Sequence, residues 1–496
     1  MLRIQGTART LCDGVTRRDL LHVGGLGALG LTLAGAARLQ ARAATAPQGG
    51  SFGRAKSCIL LFPYGSPSQH ETFDPKPDAP VEVQGEMRAI SSSVPGTAVC
   101  DHLPRVAGIM DRVTVVRSVT HPFPVHGVAY AVTGMPEYTP DLEARARDPR
   151  HWPFIGSIVD YLDERRAGGV APVVPRNVGL PWLLNSRTDL PVNAGPFAAF
   201  LGQTYDPIWT EFDGPGTRLV PRYTDGQAEL FQDPFGGTTP EGRFHLSSGQ
   251  LGADLSVERV RLRRSLLGQF DAARAGLDAS GGGFDKFQEM AFSLVTSSRM
   301  REALDIGREP MALRERYGMN LFGQSCLAAR RLVEAGSRFV TVFWDGFGKF
   351  ANCAWDTHNN HYPRMREYLL PGFDAAYPTL LTDLEERGLL DETLVLWLSE
   401  HGRTPQIDSK PQGAGRHHWS RVYSVALAGG GVPRGKVVGA SDKLGGDVAD
   451  TPVSPKDLLA TAFHLLGIDA HTLVEDRLGR PHAIAGDGRV REELLA

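Results

Sequence analysis

Five short apolar runs, rich in β-branched residues and each followed by polar residues or glycine, constrain the fold of this chain more than any other feature. Each run is nearly continuously apolar, which is typical of strands buried on both faces of a mostly parallel sheet. A sheet of this kind needs helices on both faces to cover it. The predicted strands are Cys58–Pro63, Val113–Arg117, Arg338–Trp344, Thr393–Leu398 and Tyr423–Ala428.

Helical patterns lie between some of these strands. Leu321–Ala335 has apolar residues at helical spacing and stops at Gly336, a residue type that favours a helix C-terminus. Phe373–Arg387 also stops at a glycine. Pro455–Leu466 follows Ser454, which suits an N-cap ahead of a proline at the first helical position. The alternation of strand and helix predicts a doubly wound α/β fold.

The middle of the chain has a different composition. Residues 180–316 are rich in proline, glycine and aromatic residues at first, then charged and helical in pattern. We expect a long irregular excursion here, forming a cap or an insertion. The remainder is predicted to be a single domain over residues 57–490, after a linker over residues 44–56.

The first 43 residues have the features of a twin-arginine signal peptide. Arg17-Arg18 precedes a weakly apolar, glycine-rich run over Val23–Ala37, and Ala41-Arg42-Ala43 fits a signal-peptidase site. An uncleaved anchor helix is the alternative, but the run is shorter than the roughly 20 apolar residues of a membrane span. We therefore expect export by the twin-arginine machinery to a periplasmic or extracytoplasmic location, with no stable membrane span after cleavage.

Charge and cysteine usage exclude some functions. Loss of residues 1–43 removes six arginines and two aspartates, so the formal net charge changes by −4, from −3 to −7. A mildly acidic chain lacks the electrostatic footprint of a nucleic-acid-binding protein. The cysteines beyond the signal are widely spaced without a metal-binding pattern, and we expect buried free thiols. They are Cys58, Cys100, Cys326 and Cys353.

Histidines and carboxylates follow the predicted strands in the C-terminal half. Glu400 and His401 come directly after the fourth predicted strand, Asp356 and His358 follow the third, and His418 precedes the fifth. Ligands of open α/β sheets bind beyond the carboxyl ends of the strands. Imidazole with carboxylate suits Zn²⁺ and related divalent ions. The pattern predicts a site for a divalent metal ion, and a polar hydrogen-bonded network is the alternative.

Two loops in the N-terminal half add candidates. The glycine and small hydroxyl residues of Tyr64–Pro77 suit either an anion-binding turn or an ordinary tight turn, and this loop contains Glu71. The second predicted strand leads into His121 and then His126.

Seven segments, in order, span nearly the whole chain beyond the signal peptide. They are Gly65–Pro77, Thr114–His121, Phe322–Val342, Trp355–His358, Ser399–Pro405, Gly415–Arg421 and Val453–Asp469. Together they resemble the DUF1501 family of the alkaline phosphatase-like, or sulfatase-like, superfamily. The resemblance implies an alkaline phosphatase-like core.

The resemblance also implies a ligand set. Glu400-His401-Gly402 is similar to the Asp-His-Gly of sulfatases and phosphatases. Asp356, His358 and His418 resemble the remaining metal ligands, although the spacing between Asp356 and His358 departs from the usual Asp-x-x-x-His.

Three departures from the superfamily concern the reacting groups. The superfamily has an Asp at the end of the first strand, where this chain has Tyr64-Gly65, and Glu71 is the nearest acidic candidate. The catalytic Cys or Ser is missing, because its neighbourhood offers Pro124, Val125 and His126. His417 stands where relatives commonly have Asp.

Two functions are compatible with these residues. The first is a metal-dependent hydrolase of phosphate or sulfate esters, small or polymeric, attacked by water or by His126. In it, Arg403 or Arg416 would bind the anionic group. The second is a non-catalytic extracytoplasmic binding protein that keeps the fold. Approach of Glu71 and two histidines to one point would favour the hydrolase, and an Asp356 directed away from His401 would favour binding.

Overall fold

The computed structural model of the protein describes residues 50–169, 172–189, 192, 194–224, 227–246, 297–348, 354–409 and 413–496. The predicted signal peptide, most of the predicted linker and Cys353 lie outside these residues. Residues 51–496 are grouped as one compact unit.

A nine-stranded sheet forms the centre of the protein. Its strands are β1 Ser57–Pro63, β2 Val113–Val119, β3 Asn177–Leu180, β4 Ile208–Asp213, β5 Arg243–Leu246, β6 Phe339–Trp344, β7 Thr393–Trp397, β8 Tyr423–Ala428 and β9 Lys436–Val438. Their order in the sheet is β9–β2–β8–β7–β1–β6–β3–β4–β5. The pairings of β7 with β8, β8 with β2 and β4 with β5 are antiparallel and the others are parallel, so β8 and β5 oppose the remaining seven strands.

The five predicted strands are confirmed, and they are consecutive in the sheet as β2–β8–β7–β1–β6. β1 is central: Leu60 pairs with Thr341 on one side and Leu396 on the other. Every residue of β1, β6 and β7 is buried, as their continuous apolar sequence requires.

Helices cover both faces of the sheet, which confirms the doubly wound α/β fold. The α-helices of the described residues are α1 Val81–Gln84, α2 Pro104–Gly108, α3 Val128–Val132, α4 Pro140–Glu143, α5 Ile155–Arg166, α6 Ser298–Leu304, α7 Met311–Tyr317, α8 Leu321–Glu334, α9 His361–Arg364, α10 Leu370–Glu386 and α11 Pro455–Leu465. Ile59 of β1 packs in a core cluster with α8 and α10, while Leu60 packs on the opposite face with α5 and α11.

The three predicted helices correspond to α8, α10 and α11. α8 ends ahead of Gly336, whose φ of +106° is a left-handed conformation that favours glycine. α11 begins with a capping box, in which the Ser454 side chain accepts from the Asp457 amide and the Asp457 carboxylate accepts from the Ser454 amide. α10 begins three residues before the predicted Phe373, because a turn of π-helix over Met365–Leu369 joins α9 to it.

Residues 247–296 of the predicted middle excursion lie outside the described residues, and the described part contains regular elements. β4 and β5 extend the main sheet, and α6 and α7 precede α8. The intervening turns contain Pro and Gly and the strands are short, so no strand periodicity emerges from the sequence. Smaller antiparallel pairs are Ala89–Ser91 with Ala98–Cys100, Leu219–Thr224 with Gln227–Gln232, Gly402–Arg403 with His418–Trp419, Ala440–Ser441 with Val448–Asp450, and Leu473–Glu475 with Pro481–Ala483.

Two expectations about the whole chain can be compared with the described residues. Cys58, Cys100 and Cys326 are buried free thiols, as expected. Among the described helices, none has the length and apolarity that crossing a membrane requires.

Candidate metal centre

Loops at one edge of the sheet bring the candidate side chains together. β1, β2, β6 and β7 all have their carboxyl ends at this edge. β8 is antiparallel to them, so the residues that precede it lie at the same edge. Loops that are far apart in sequence therefore meet here, as expected for an open α/β sheet.

The side chains of Asp356, His358 and His418 lie within hydrogen-bonding distance of one another. His358 Nε2 is 3.0 Å from Asp356 Oδ1 and 3.0 Å from His418 Nε2. His418 Nε2 is in turn 3.4 Å from Asp356 Oδ1. His418 also belongs to a second group, with His126 and His401, and the ligand atoms of each group lie within 4.8 Å of one another. One cluster of four imidazoles and one carboxylate thus contains every predicted metal ligand except Glu400 and Glu71.

His401 is held in the tautomer that a metal ligand needs. Its Nδ1 donates to the Gly402 carbonyl at 2.8 Å, which leaves the lone pair on Nε2. Nε2 is buried and has no hydrogen-bond partner among the described residues. A buried nitrogen without a hydrogen-bond partner destabilises a folded protein, unless a bound ligand interacts with its lone pair.

The protonation of the cluster suits a divalent cation. Burial and the neighbouring His418 hold the pKa of His401 well below its usual value, and burial also lowers the pKa of His418. Burial opposes the charge of Asp356, but Arg403 and His126 hold its pKa well below its usual range. His401 and His418 are therefore neutral imidazoles beside an ionised Asp356, and these donors fit a divalent metal ion.

His126 lies between two carboxylates. Its Nδ1 is 3.0 Å from Glu400 Oε1, and its Nε2 is 3.4 Å from Asp356 Oδ2. Burial disfavours its charge, but Asp356 and Glu400 outweigh burial and raise its pKa to about 10. The two carboxylates therefore favour the protonated form of His126.

Glu400 holds His126 and is absent from both groups of converging ligand atoms. Its Oε1 accepts from the Gly65 amide at 2.8 Å as well as from His126, and its Oε2 accepts from the Ser399 hydroxyl at 2.7 Å. Burial opposes its charge, but His126 and Ser399 lower its pKa. The geometry gives Glu400 the role of orienting His126, in place of the metal-binding role expected from the sequence.

Arg403 is fully buried and also differs from expectation. Its Nη2 donates to Asp356 Oδ1 at 2.5 Å, its Nε donates to the Ser66 carbonyl at 3.0 Å, and its Nη2 also contacts the Gly65 carbonyl. These groups occupy its donors. Arg403 therefore positions Asp356 against the loop that follows β1, in place of the anion-binding role expected from the sequence.

Glu71 forms a separate buried cluster. Its Oε1 accepts from Arg416 Nη2 at 2.6 Å, and its Oε2 is 3.1 Å from His361 Nε2. Although burial opposes its charge, Arg416 and His361 hold its pKa well below the usual range. Glu71 thus contacts one histidine, outside the converging groups, and Arg416 is likewise committed to it.

Contacts with the main chain that build the centre had no recognised pattern in the sequence. Arg364 donates to the backbone carbonyls of Asp356 at 2.9 Å and Ala354 at 2.6 Å, which fixes the loop that carries the central carboxylate. Arg403 pairs with His418 in a short antiparallel ladder. Both are backbone arrangements, which side-chain identity alone does not reveal.

An α/β protein with an imidazole–carboxylate cluster at the carboxyl edge of its sheet is the class that this fold and site define. The chain belongs to the family described as "Protein of unknown function (DUF1501)", whose profile matches residues 55–495. A search of curated proteins gives no match.

Solved structures similar to this chain include the PsFucS1 sulfatase from Pseudoalteromonas sp., at 11% identity and a TM-score of 0.36, covering 84% of this chain and 68% of that one. The phosphonate monoester hydrolase SpPMH from Silicibacter pomeroyi is similar at 13% identity and a TM-score of 0.31, covering 88% and 75%. The lipoteichoic acid synthase LtaP from Listeria monocytogenes is similar at 9% identity and a TM-score of 0.29, covering 85% and 75%.

Proposed function

We propose that this protein is a metal-dependent hydrolase of phosphate or sulfate esters. The observation that carries the proposal is the cluster of Asp356 with His358, His401 and His418, in which the buried Nε2 of His401 has a free lone pair. Neutral imidazoles and an ionised carboxylate at one point are the chemistry of a divalent metal site.

Asp356, His358, His401 and His418 would hold the ion. A bound divalent cation supplies charge stabilisation for an anionic ester and lowers the pKa of a bound water. The nitrogen-rich donor set favours Zn²⁺ over Mg²⁺ and Ca²⁺, which prefer oxygen ligands. Mn²⁺ is the remaining candidate.

His126 is the residue that handles the proton. Glu400 accepts from its Nδ1, which aims its Nε2 at the cluster. In its protonated form it donates a proton from Nε2 to the oxygen of the leaving group as the ester bond breaks, while a water molecule attacks phosphorus or sulfur. The proton that this water loses then restores the protonated form of His126. A protonated imidazole has no lone pair for attack, so this arrangement favours water over His126 as the nucleophile.

The location and the substrate class follow from the sequence. We propose that the protein leaves the cytoplasm by the twin-arginine route and acts on an anionic ester, small or polymeric, in the periplasm or outside the cell. The Arg17-Arg18 signal supports the route, and the acidic mature chain argues against nucleic acid as the polymer.

The decisive experiment is elemental analysis of the protein purified without chelator or affinity metal, beside His401→Ala. His471→Ala is the control, because His471 is exposed. The same samples are then assayed on 4-nitrophenyl phosphate and 4-nitrophenyl sulfate.

We expect about one or two equivalents of metal in the wild type and in the control, with metal and ester hydrolysis both lost in His401→Ala. No metal in any sample, even after incubation with Zn²⁺ and Mn²⁺, would overturn the hydrolase. A non-catalytic binding protein would then be the better account.

A further inference from the structure

A chain of two hydrogen bonds runs from the metal centre to the surface. His358, a residue of the cluster, has its Nδ1 2.9 Å from Nδ1 of His417. His417 Nε2 lies 2.9 Å from Asp408 Oδ2. The side chains of His417 and Asp408 are 42% and 40% exposed, whereas that of His358 is 26% exposed, so the chain links a solvated carboxylate to a ligand atom.

The backbone fixes both outer members of this chain. Asp408 and Gly415 exchange two backbone hydrogen bonds, each of 2.9 Å. The His417 amide donates to Thr404 Oγ1 at 3.0 Å, and its carbonyl accepts from the Thr404 amide at 2.9 Å. These main-chain hydrogen bonds therefore hold the backbones of His417 and Asp408 in place for the contact between their side chains.

The carboxylate at the outer end determines where each proton lies. An ionised carboxylate only accepts hydrogen bonds, so His417 Nε2 is the donor to Asp408. A neutral His417 with its proton on Nε2 has its lone pair on Nδ1, which must accept from His358 Nδ1–H. His358 then has its lone pair on Nε2, which suits a cation bound between this nitrogen and Asp356 Oδ1, 3.0 Å away. Without a cation, the Asp356 carboxylate competes for a proton on the same Nε2.

We propose that Asp408 and His417 are positioning residues of the metal centre, which hold His358 in its metal-binding tautomer. The proposal rests on the proposed function, because it assigns a role toward the same ion. If His417 presented an N–H to His358, the Nε2 of His358 would carry the proton and could not bind a metal. In many metal sites a carboxylate or carbonyl bonds directly to the ligating histidine and fixes its tautomer. Here the Asp408 carboxylate would have that role toward His358 through the imidazole of His417.

The test is Zn²⁺ affinity, measured by competition with a chelator of known affinity. Asp408→Ala and His417→Leu should each weaken Zn²⁺ binding roughly 10- to 100-fold. His417→Glu should retain the affinity, because its carboxylate can accept directly from His358 Nδ1–H. Unfolding of the metal-free variants is the control for structural damage.

A double variant separates the hydrogen-bonded chain from simple charge. In the His417→Leu background the chain is already broken, so Asp408→Ala should weaken Zn²⁺ binding no further. An equal loss in both backgrounds would mean that Asp408 acts only through its charge and would overturn the proposal. So would wild-type affinity in both single variants while His401→Ala loses Zn²⁺.

A readout in the metal-free protein keeps this inference distinct from the proposed function. Nitrogen NMR of ¹⁵N-histidine-labelled protein above pH 8, with His358 assigned through His358→Gln, should find a larger fraction of the His358 proton on Nδ1 in the wild type than in His417→Leu. In His417→Leu the Asp356 carboxylate alone competes for that proton and favours it on Nε2. If the wild type fails to bind Zn²⁺ but the tautomer shifts as expected, the hydrolase is wrong and the hydrogen-bonded chain stands. If the tautomer is the same in both proteins, the chain is wrong whatever the Zn²⁺ affinity.

Discussion

His70 makes the stability of this protein depend on pH in a range that can be calculated. Its ring is 4% exposed, and Nε2 donates to the Leu444 carbonyl at 2.8 Å. Nδ1 is buried with no partner among the described residues. Burial, assisted by the positive charge of Arg416, lowers the pKa of His70 from 6.5 to about 4.

The sign and size of the effect follow from linkage. The unfolded chain takes up a proton on this histidine below pH 6.5, whereas the folded chain resists it until about pH 4. The contribution is therefore fully present above pH 6.5 and is lost as the pH falls towards 4. A shift of about 2.5 pKa units corresponds to about 3.4 kcal/mol, of which about 2.5 kcal/mol is lost between pH 7.5 and 4.5.

The assay is urea unfolding of the wild type and of His70→Gln at pH 7.5 and 4.5. Glutamine can still donate to the Leu444 carbonyl, but it does not titrate. Other buried histidines contribute equally to both proteins, so their effects cancel in the comparison. The free energy of unfolding of the wild type should fall by about 2.5 kcal/mol more than that of His70→Gln.

The control is His471→Gln, because His471 is exposed. It should follow the pH dependence of the wild type. Parallel pH dependence in the wild type and His70→Gln would refute the reasoning, because it would mean that His70 takes up its proton without cost in the folded state.

Three further predictions concern the centre and export. Gly65→Ala should lower the free energy of unfolding, measured with urea, by about 1–3 kcal/mol more than the control Gly96→Ala does. A Cβ at position 65 would lie 2.4 Å from the Asp356 amide nitrogen, whereas a Cβ at position 96, where φ is similarly positive, meets nothing within 4 Å. Arg403→Leu should cost about 3–5 kcal/mol by leaving Asp356 buried without its partner, and Asp356→Asn in the same chain should recover part of that loss in the same assay. Replacement of both Arg17 and Arg18 by Lys should leave the precursor in the cytoplasm by cell fractionation, and normal export would exclude the twin-arginine route.

The sequence predicted the secondary structure correctly where burial requires a recognisable pattern of apolar residues. The five central strands follow from continuous apolar runs, because a strand covered on both faces cannot expose a polar side. The opposite direction of β8 did not follow, since Tyr423–Ala428 has the same apolar character whichever way the strand runs. That direction is what brings His418 to the carboxyl edge of the sheet.

At the site, residue types correctly predicted most of the side chains that lie close together. They did not predict the hydrogen-bond partners of each side chain. The histidines near the strand ends meet because the topology brings those ends together. The partners of Glu400 and Arg403 depend on competition among nearby donors and acceptors, which is decided by loop geometry. Glu71 illustrates this, because Arg416 and His361 hold it in a cluster of their own.

Gly65 and His126, which are far apart in the sequence, meet at the carboxylate of Glu400. Glu400 Oε1 accepts from both, at 2.8 Å from the Gly65 amide and 3.0 Å from His126 Nδ1. A side chain at position 65 would place its Cβ 2.8 Å from the Cβ of Asp356 and would displace the central carboxylate. Gly65 therefore serves two carboxylates: its amide donates to Glu400, and its lack of a side chain leaves room for Asp356.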